Sequence, residues 1–383
     1  MITELDDYAV HQTTDPVAHP ATGDRNFYDR YWFNGIDAGG AFTFEVGFGL
    51  YPNRFVQDGH VSVLCDGVQT SFHGSRRAPA ERRDGSVGPL RVAVERPLRE
   101  VRVVLAANES GVECDLLFRA TTTPTEEPKN VMRDGTRLLM ETSRFTQFGT
   151  WEGFVRVDGT RIDVRAETTY GTRDRSWGVR PVGEPEGGAP GKLATPGVHW
   201  VWAPLQFDDV CTQYGTFQDP DGRPTQLSAC IVPRHATPDA VPAREDAHRE
   251  MRRMSHATRF AAGTRWPESA TLSFETREGE AVEIALEPIP GIPRFHMHGI
   301  GYRHPEWGHG LWKGDLAVAG ERWKLADVDP RDPVAIHAHT PVRARMTGLG
   351  RERTGIGTLE TIPFGPHAPS GLTGILDGAP ARD

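Results

Sequence analysis

Arg173-Asp174-Arg175-Ser176-Trp177-Gly178 sets one carboxylate between two guanidinium groups and beside an indole. Farther along runs His199-Trp200-Val201-Trp202-Ala203-Pro204-Leu205-Gln206-Phe207-Asp208-Asp209. An aspartate walled by tryptophan loses hydration, which raises its pKa, while neighbouring cations lower it. A carboxyl balanced between those effects can hold a proton near neutral pH and deliver it to a substrate. The chemistry indicated is acid-assisted reaction at a C=C bond. Asp174 is the expected acid, and the π faces of Tyr170, Trp177, Trp200 and Trp202 would shield the resulting cation. His199 and Tyr214, on strands expected to neighbour Asp174, would position water or relay a proton. The competing structural reading is an Arg173–Asp174–Arg175 network tying a strand end to a loop, with His199 and Tyr214 as hydrogen-bonded core residues.

A second group of reactive side chains lies in the last third: His296-Met297-His298, His304, His309 and His337-Ala338-His339. Residues i and i+2 of a strand share a face, so His-x-His can hold one metal. With Glu306 or Asp315 as a third ligand, such a set suits non-haem iron or zinc in a cupin-like barrel. The glutamate that cupins place a few residues past the pair is missing. These imidazoles therefore read first as surface or supporting groups, with no metal ligands assigned and a metal-dependent enzyme as an alternative. In His304-Pro305-Glu306-Trp307-Gly308-His309-Gly310, Trp307 and His309 are candidate substrate contacts at a barrel mouth; the plain alternative is a rigid turn.

The elements that must carry these groups are strands. Period-two alternation runs through Ala41–Gly49, Val61–Cys65, Leu90–Val94, Val101–Leu105, Val112–Phe118, Arg137–Thr142, Gly153–Val157 and Arg161–Thr169. It resumes at His199–Phe207, Gln213–Phe217, Ser228–Val232, Ala270–Thr276, Ala281–Glu287, Leu311–Leu316, Glu321–Leu325, Val334–His339 and Gly355–Thr361. Asp158-Gly159 is a hairpin signal because both turn positions tolerate positive φ, and Asp134-Gly135 and Asp221-Gly222 read similarly. Asp246–Arg253 is the one helix candidate. The pattern predicts an all-β chain of two barrel- or sandwich-like domains: a tail over 1–24, domains over 25–165 and 166–368, and a tail over 369–383. The Gly/Pro-rich stretch Pro181–Pro196 is expected to be a loop at a barrel mouth. Tyr28, Tyr31, Trp32 and Phe33 would plug a barrel end or line the domain interface, plugging being the first choice.

Composition narrows the partners. With 383 residues and a formal net charge of −9, the chain lacks the clustered positive charge that a phosphate backbone demands. No apolar run reaches membrane-spanning length, and Met1–Pro20 has neither a basic start nor an apolar stretch, so a cytoplasmic protein is expected. Cys65, Cys114, Cys211 and Cys230 form no CxxC pair and read as reduced thiols. Nothing matches a phosphate-binding loop, GxSxG or HExxH.

Asp174-x-x-Trp177-Gly178, followed by Trp200-x-Trp202 and Leu205-Gln206-x-Asp208-Asp209, resembles the carotenoid 1,2-hydratase and AttH group of lipocalin-like proteins. Phe44-Glu45-Val46-Gly47 and Pro52-Asn53 extend the likeness into the first half. The resemblance implies two lipocalin-like domains, an apolar cavity, no cofactor, and an acid at the position of Asp174 that protonates an isolated alkene. Where the hydratases tend to carry an aromatic residue, two positions before that aspartate, this chain has Thr172; Arg173 and Arg175 flank the aspartate and are expected to lower its pKa. The combined expectation is a cofactor-free hydratase, dehydratase, isomerase or cyclase acting on an apolar isoprenoid, steroid-like or polyketide substrate inside a β-barrel. Arg173 joins Tyr170, Trp177, Trp200, Trp202, Trp307 and His309 as substrate contacts. A non-catalytic lipid or terpenoid carrier is the alternative, and a homodimer is compatible with the sequence.

Overall fold

The computed structural model describes residues 1–185, 187–189, 197–243 and 246–381. The first half forms β1 (Phe27–Asp37), β2 (Phe42–Tyr51), β3 (Val56–Cys65), β4 (Val68–Arg77), β5 (Ser86–Val87), β6 (Leu90–Arg96), β7 (Glu100–Leu105), β8 (Val112–Ala120), β9 (Thr125–Asp134), β10 (Arg137–Val157), β11 (Thr160–Val164) and β12 (Thr169–Val179). The second half forms β13 (Val198–Gln206), β14 (Val210–Gln218), β15 (Pro224–Pro233), β16 (Arg249–Phe260), β17 (Pro267–Thr276), β18 (Ala281–Pro288), β19 (Phe295–His296), β20 (Leu316–Lys324), β21 (Ala338–Thr347) and β22 (Arg353–Phe364). Among the described residues these make two antiparallel, barrel-like sheets, so the chain is all-β, with two lipocalin-like units. Asp158 and Gly159 take φ of 51° and 81° in the two-residue turn from β10 to β11, as the hairpin signal requires.

The first sheet runs β20-β4-β3-β2-β1-β12-β10-β8-β7-β6-β5. Its far end curls back over β3 and β4, where Gly59 and Gly74 leave room for Leu90 and Val87: a Cβ would stand 2.6 Å and 2.8 Å from their methyl carbons. The second sheet runs β18-β17-β16-β15-β14-β13-β22-β21 and closes where β18 pairs with β21. Closure removes the exposed edges that an open sheet would offer.

Three expectations are revised. The region expected as a helix at 246–253 enters β16, which pairs with β17 through Met254↔Phe274 and His256↔Leu272; cross-strand pairing outweighs the weak helical pattern. The strand expected at Leu311–Leu316 begins only at Leu316, and β20 crosses back to pair with β4 of the first sheet. β12 also belongs to the first sheet, between β1 and β10, so the chain changes sheets between Val179 and Val198 and not near residue 165. Most of the Pro181–Pro196 stretch's second half lies outside the described residues.

Both terminal segments strap the sheets. Arg82 donates to the carbonyls of Val17 and Ala18, and Asn53 to those of Thr22 and Asp24. At the other end Arg265 donates to the carbonyls of Pro363, Gly374 and Asp377. Each domain has its own apolar core, and a third cluster joins them, built on Trp32, Leu64, Trp200, Trp202, Phe295 and Ile300. The cysteines are free thiols.

Candidate active site

Strand parity builds the site. In β1 the odd residues Tyr31 and Phe33 pack into the first domain's core, so Tyr28, Arg30 and Trp32 face the second domain. β12 places Asp174 opposite Trp32 in register. In β13, Val201, Ala203 and Leu205 fill the second barrel, which turns Trp200 and Trp202 toward the first domain. Between these faces lies a cavity of ≈ 150 Å³, lined among others by Asp174, Arg144, Trp32, Trp200, Trp202, Tyr302, His337, His339 and Glu360. A void of about this size accommodates a benzene-sized ring. The cavity that Asp174 faces therefore lies between the sheets, whereas one inside a barrel was expected; the barrel interiors are packed with side chains.

Asp174 is nearly buried. Burial pushes its carboxyl up, Arg144 opposes with Nη1 3.8 Å from Oδ2, Glu127 adds to the rise, and the result is about 6. Arg173 and Arg175, the flanking cations in sequence, point off the other strand face. Arg173 donates to Gln147 Oε1, and Arg175 pairs with Asp29 and stacks over Tyr31 at 3.9 Å. The cation that tempers Asp174 is thus Arg144 of β10, whose guanidinium lies 5.4 Å from the Trp200 ring and 5.7 Å from that of Trp202.

Four groups are tightly hydrogen-bonded here, and three of them, His337, His339 and Glu360, line the cavity. His339 Nδ1 is 2.7 Å from Glu45 Oε1, and His337 Nε2 is 2.6 Å from Glu360 Oε1. Each carboxylate is also held by an indole: Trp32 Nε1 donates to Glu45 at 2.8 Å and Trp200 Nε1 to Glu360 at 2.9 Å. Trp202 Nε1 donates to Glu127 at 3.3 Å. Burial disfavours a charged His339, yet Glu45 and Glu360 outweigh it and raise the imidazole to about 10. Burial also acts against ionised Glu360, but His339 and His337 hold its carboxyl well below the usual range. Such charge-assisted bonds fix the tryptophans' orientation as well as the carboxylates'.

Among the described residues, two sets of side chains have the composition of a metal site. His337, His339 and Glu360 bring donor atoms within 4.8 Å of one another, and His339 Nε2 lies 3.3 Å from Glu360 Oε1. The carboxylate holding Nδ1 of His339 is the usual support of a metal-bound imidazole. His73, His304 and Glu321 form the other set. There His304 Nδ1 accepts the backbone N–H groups of Glu306 and Trp307, so the neutral ring carries its proton on Nε2, 3.2 Å from Glu321. That ring is set to donate a hydrogen bond, not to ligate.

The other expected site residues lie elsewhere. His199 falls on the barrel face of β13, its ring stacked on His367 at 3.5 Å, and Tyr214 packs on Phe274 within the second core. Neither reaches Asp174: His199 is at an odd position of β13 and cannot share a face with Trp200, and Tyr214 of β14 pairs with Ala203 on the barrel face. Trp177 is 40% exposed and lines a separate surface depression. Tyr170 lies under Arg234 beside another depression. Trp307 stacks on His73, away from the cavity. His309 stands behind the cavity wall, its ring 4.4 Å from that of Tyr302. Glu306 and Asp315 are exposed partners of Lys313 and Arg77, not companions of any histidine pair. His296 and His298 gather around Trp323, apart from His337 and His339. Of the N-terminal aromatics, Tyr28 and Trp32 line the interface and Tyr31 and Phe33 the core.

Sequence reasoning missed Arg144, Glu45, Glu127 and Glu360. Phe44-Glu45-Val46-Gly47 did hold a signal: a charged residue at an alternate position of a strand buried along its whole length needs a partner. Arg144, Glu127 and Glu360 are brought in by long-range pairing, which no local pattern reports.

No curated protein matches the sequence. Several solved structures resemble the chain along most of its length. Kievitone hydratase from Nectria haematococca has a TM-score of 0.50 at 14% identity, covering 87% of this chain and 88% of its own. A protein assigned as AttH from Nitrosomonas europaea has a TM-score of 0.51 at 12% identity, covering 88% of this chain and 92% of its own. At such identities the likeness is one of fold. Among the described residues no helix is long and apolar enough to cross a membrane. Residues 2–373 match a family of unknown function (DUF8625), and the chain belongs to that family.

Proposed function

We propose that this protein is an enzyme that protonates an alkene of an apolar, unsaturated substrate, leading to hydration, isomerisation or cyclisation, with dehydration as the reverse. The observation that carries the reading is Asp174: a carboxyl held at about 6 beside a cavity walled by Trp32, Trp200 and Trp202. Near neutral pH a fraction of it is protonated, and a catalytic acid works best with a pKa near the operating pH. In the proposed step the Asp174 proton moves to one alkene carbon, the π pair forms the new C–H bond, and the adjacent carbon becomes cationic. The indole faces and the Glu360 carboxylate stabilise that cation. Water then adds and gives its proton back to Asp174, or a neighbouring C–H does so and the double bond moves. The water-positioning role expected of His199 and Tyr214 passes to His337 and Glu360, which line the cavity. A protein of the same fold is named a hydratase, which agrees with this reading. The substrate class is isoprenoid, steroid-like or polyketide.

The test starts from mass spectrometry of small molecules that co-purify with the protein, followed by turnover assays on the compound found. Asp174→Asn should lower kcat by about 10²-fold or more with the fold intact. Full activity in that variant overturns the acid role, and a ligand that binds but returns unchanged indicates a carrier. A metal-dependent reading is favoured by one observation, the convergence of donor atoms of His337, His339 and Glu360 within 4.8 Å. Metal analysis of the purified protein decides it, since a site of this kind would hold about one zinc or iron per chain.

A further inference from the structure

One end of the cavity carries two guanidinium groups that feel the buried acids Asp58 and Asp174 through space but form an ion pair with neither. Arg30 is 1% exposed, and Arg180 lines the cavity. Both guanidiniums converge on Nδ1 of His309, at 2.9 Å and 3.0 Å. His309 Nε2 lies 2.9 Å from the Ile300 carbonyl and donates to it, so Nδ1 is a lone-pair acceptor and the ring is neutral. His309 therefore gives the two cations a shared acceptor but no negative charge. Arg30 spends a further N–H on the Ile300 carbonyl, at 3.1 Å. The Nε of each arginine has no hydrogen-bond partner. Among the described residues no carboxylate oxygen lies within 4.0 Å of either guanidinium.

Buried charges are ordinarily held in direct ion pairs, and leaving one outside such a pair is costly. This pair is deliberately housed: Gly47 faces Arg30, and a Cβ there would stand 2.2 Å from Nη2. Tyr28 and Tyr302 sandwich the Arg180 guanidinium at 4.6 Å and 5.5 Å, which orients it. Arg180 and Tyr302 also line an outer depression of ≈ 680 Å³, so they stand where it meets the inner cavity. Farther in, Glu360 is paired with His337 and His339, and Arg144 lies near the Trp200 and Trp202 rings. The cavity thus has guanidiniums outside any ion pair at its neck, whereas the charges beside the indoles are paired among themselves.

We infer that Arg180, supported by Arg30 and His309, is an anion-binding subsite, and that the substrate is an apolar unsaturated acid bearing an ionised carboxylate or acidic enol. This rests on the reading of the cavity as a substrate site. The anion docks at the neck and lays the alkene against Asp174. Guanidinium suits the task because its planar N–H pair matches a delocalised oxyanion.

The experiment titrates the full-length protein near neutral pH with trans-cinnamate and, separately, with methyl cinnamate, reading tryptophan fluorescence and calorimetric heat. These probes share an unsaturated aromatic body and differ in charge. Cinnamate should bind at least about tenfold more tightly than the ester, and Arg180→Gln should abolish that preference. The ratio is first read on the unaltered protein, so a variant that misfolds does not spoil the test. Equal binding of acid and ester overturns the anion subsite and leaves the cavity reading standing. Binding of neither at millimolar concentration overturns both. Asp174→Asn should keep the preference, which separates ligand anchoring from the proposed proton transfer.

Discussion

Asp174 owes its chemistry to what surrounds its carboxyl in space. Burial raises the pKa, and Arg144 alone of the nearby arginines is close enough to restrain it strongly. The linkage follows directly. The folded-state value of about 6 exceeds the ordinary carboxyl value of 3.8, so the protonated form favours folding, and that contribution is lost as pH rises from 3.8 through 6. Asp174→Asn should therefore be more stable than the parent by about 1–2 kcal/mol at pH well above the folded value, with the difference vanishing below the unfolded one. Urea unfolding followed at both extremes checks this; a variant less stable at high pH would show that the Arg144 contact, not burial, dominates. Activity should fall as pH rises through about 6, because the acid must carry its proton. The pH profile of kcat/KM reads that limb.

Strand parity and close backbone approach set the site at the level of elements. β2 is buried on both faces, with Phe44, Val46 and Phe48 in the first core and Glu45 and Gly47 toward the second domain. Gly47→Ala leaves the strand pattern intact yet drives a methyl into the Arg30 guanidinium. It should cost about 1–3 kcal/mol or more, measured as a lowered unfolding midpoint. β13 carries Trp200, whose N–H meets Glu360. Trp200→Phe keeps the ring and removes the donor, so a buried carboxylate loses a partner at a cost of about 1–3 kcal/mol. Calorimetric melting of that variant should show the loss, and an unchanged Tm would mean that water takes the indole's place.

The two sheets depend on each other across the whole molecule. β20 leaves the second half of the chain to pair with β4, and the segment around Met297–Ile300 packs on β2, β3 and β4. Trp32 meets Trp202 edge-on at 5.5 Å across the interface. A fragment ending near residue 180 would expose the edge of β4 and the polar face carrying His60 and His73. It should not give a stable fold, as circular dichroism and dispersion of amide NMR signals would report. In the full chain, unfolding followed by tryptophan fluorescence and by far-UV dichroism should coincide, because the shared cluster couples both cores. Two separated transitions would contradict that coupling.

Alternation of apolar and polar residues was enough to reveal the all-β architecture, because side-chain direction in a strand has a period of two and needs no distant partner. The same local logic picked out Asp174, Trp200 and Trp202, which parity then turned to one face. It failed for His199, Trp177 and Arg173, whose odd positions send them to the other face, and for the helix expected at 246–253. It could not find Arg144 or Glu360, which meet Asp174's cavity only through strands paired far apart in the chain. Nor could it locate the cavity between the sheets, since that space exists only once two separate cores have docked. Local pattern encodes which way a side chain points; the field a carboxyl feels depends on charges brought near it by folding.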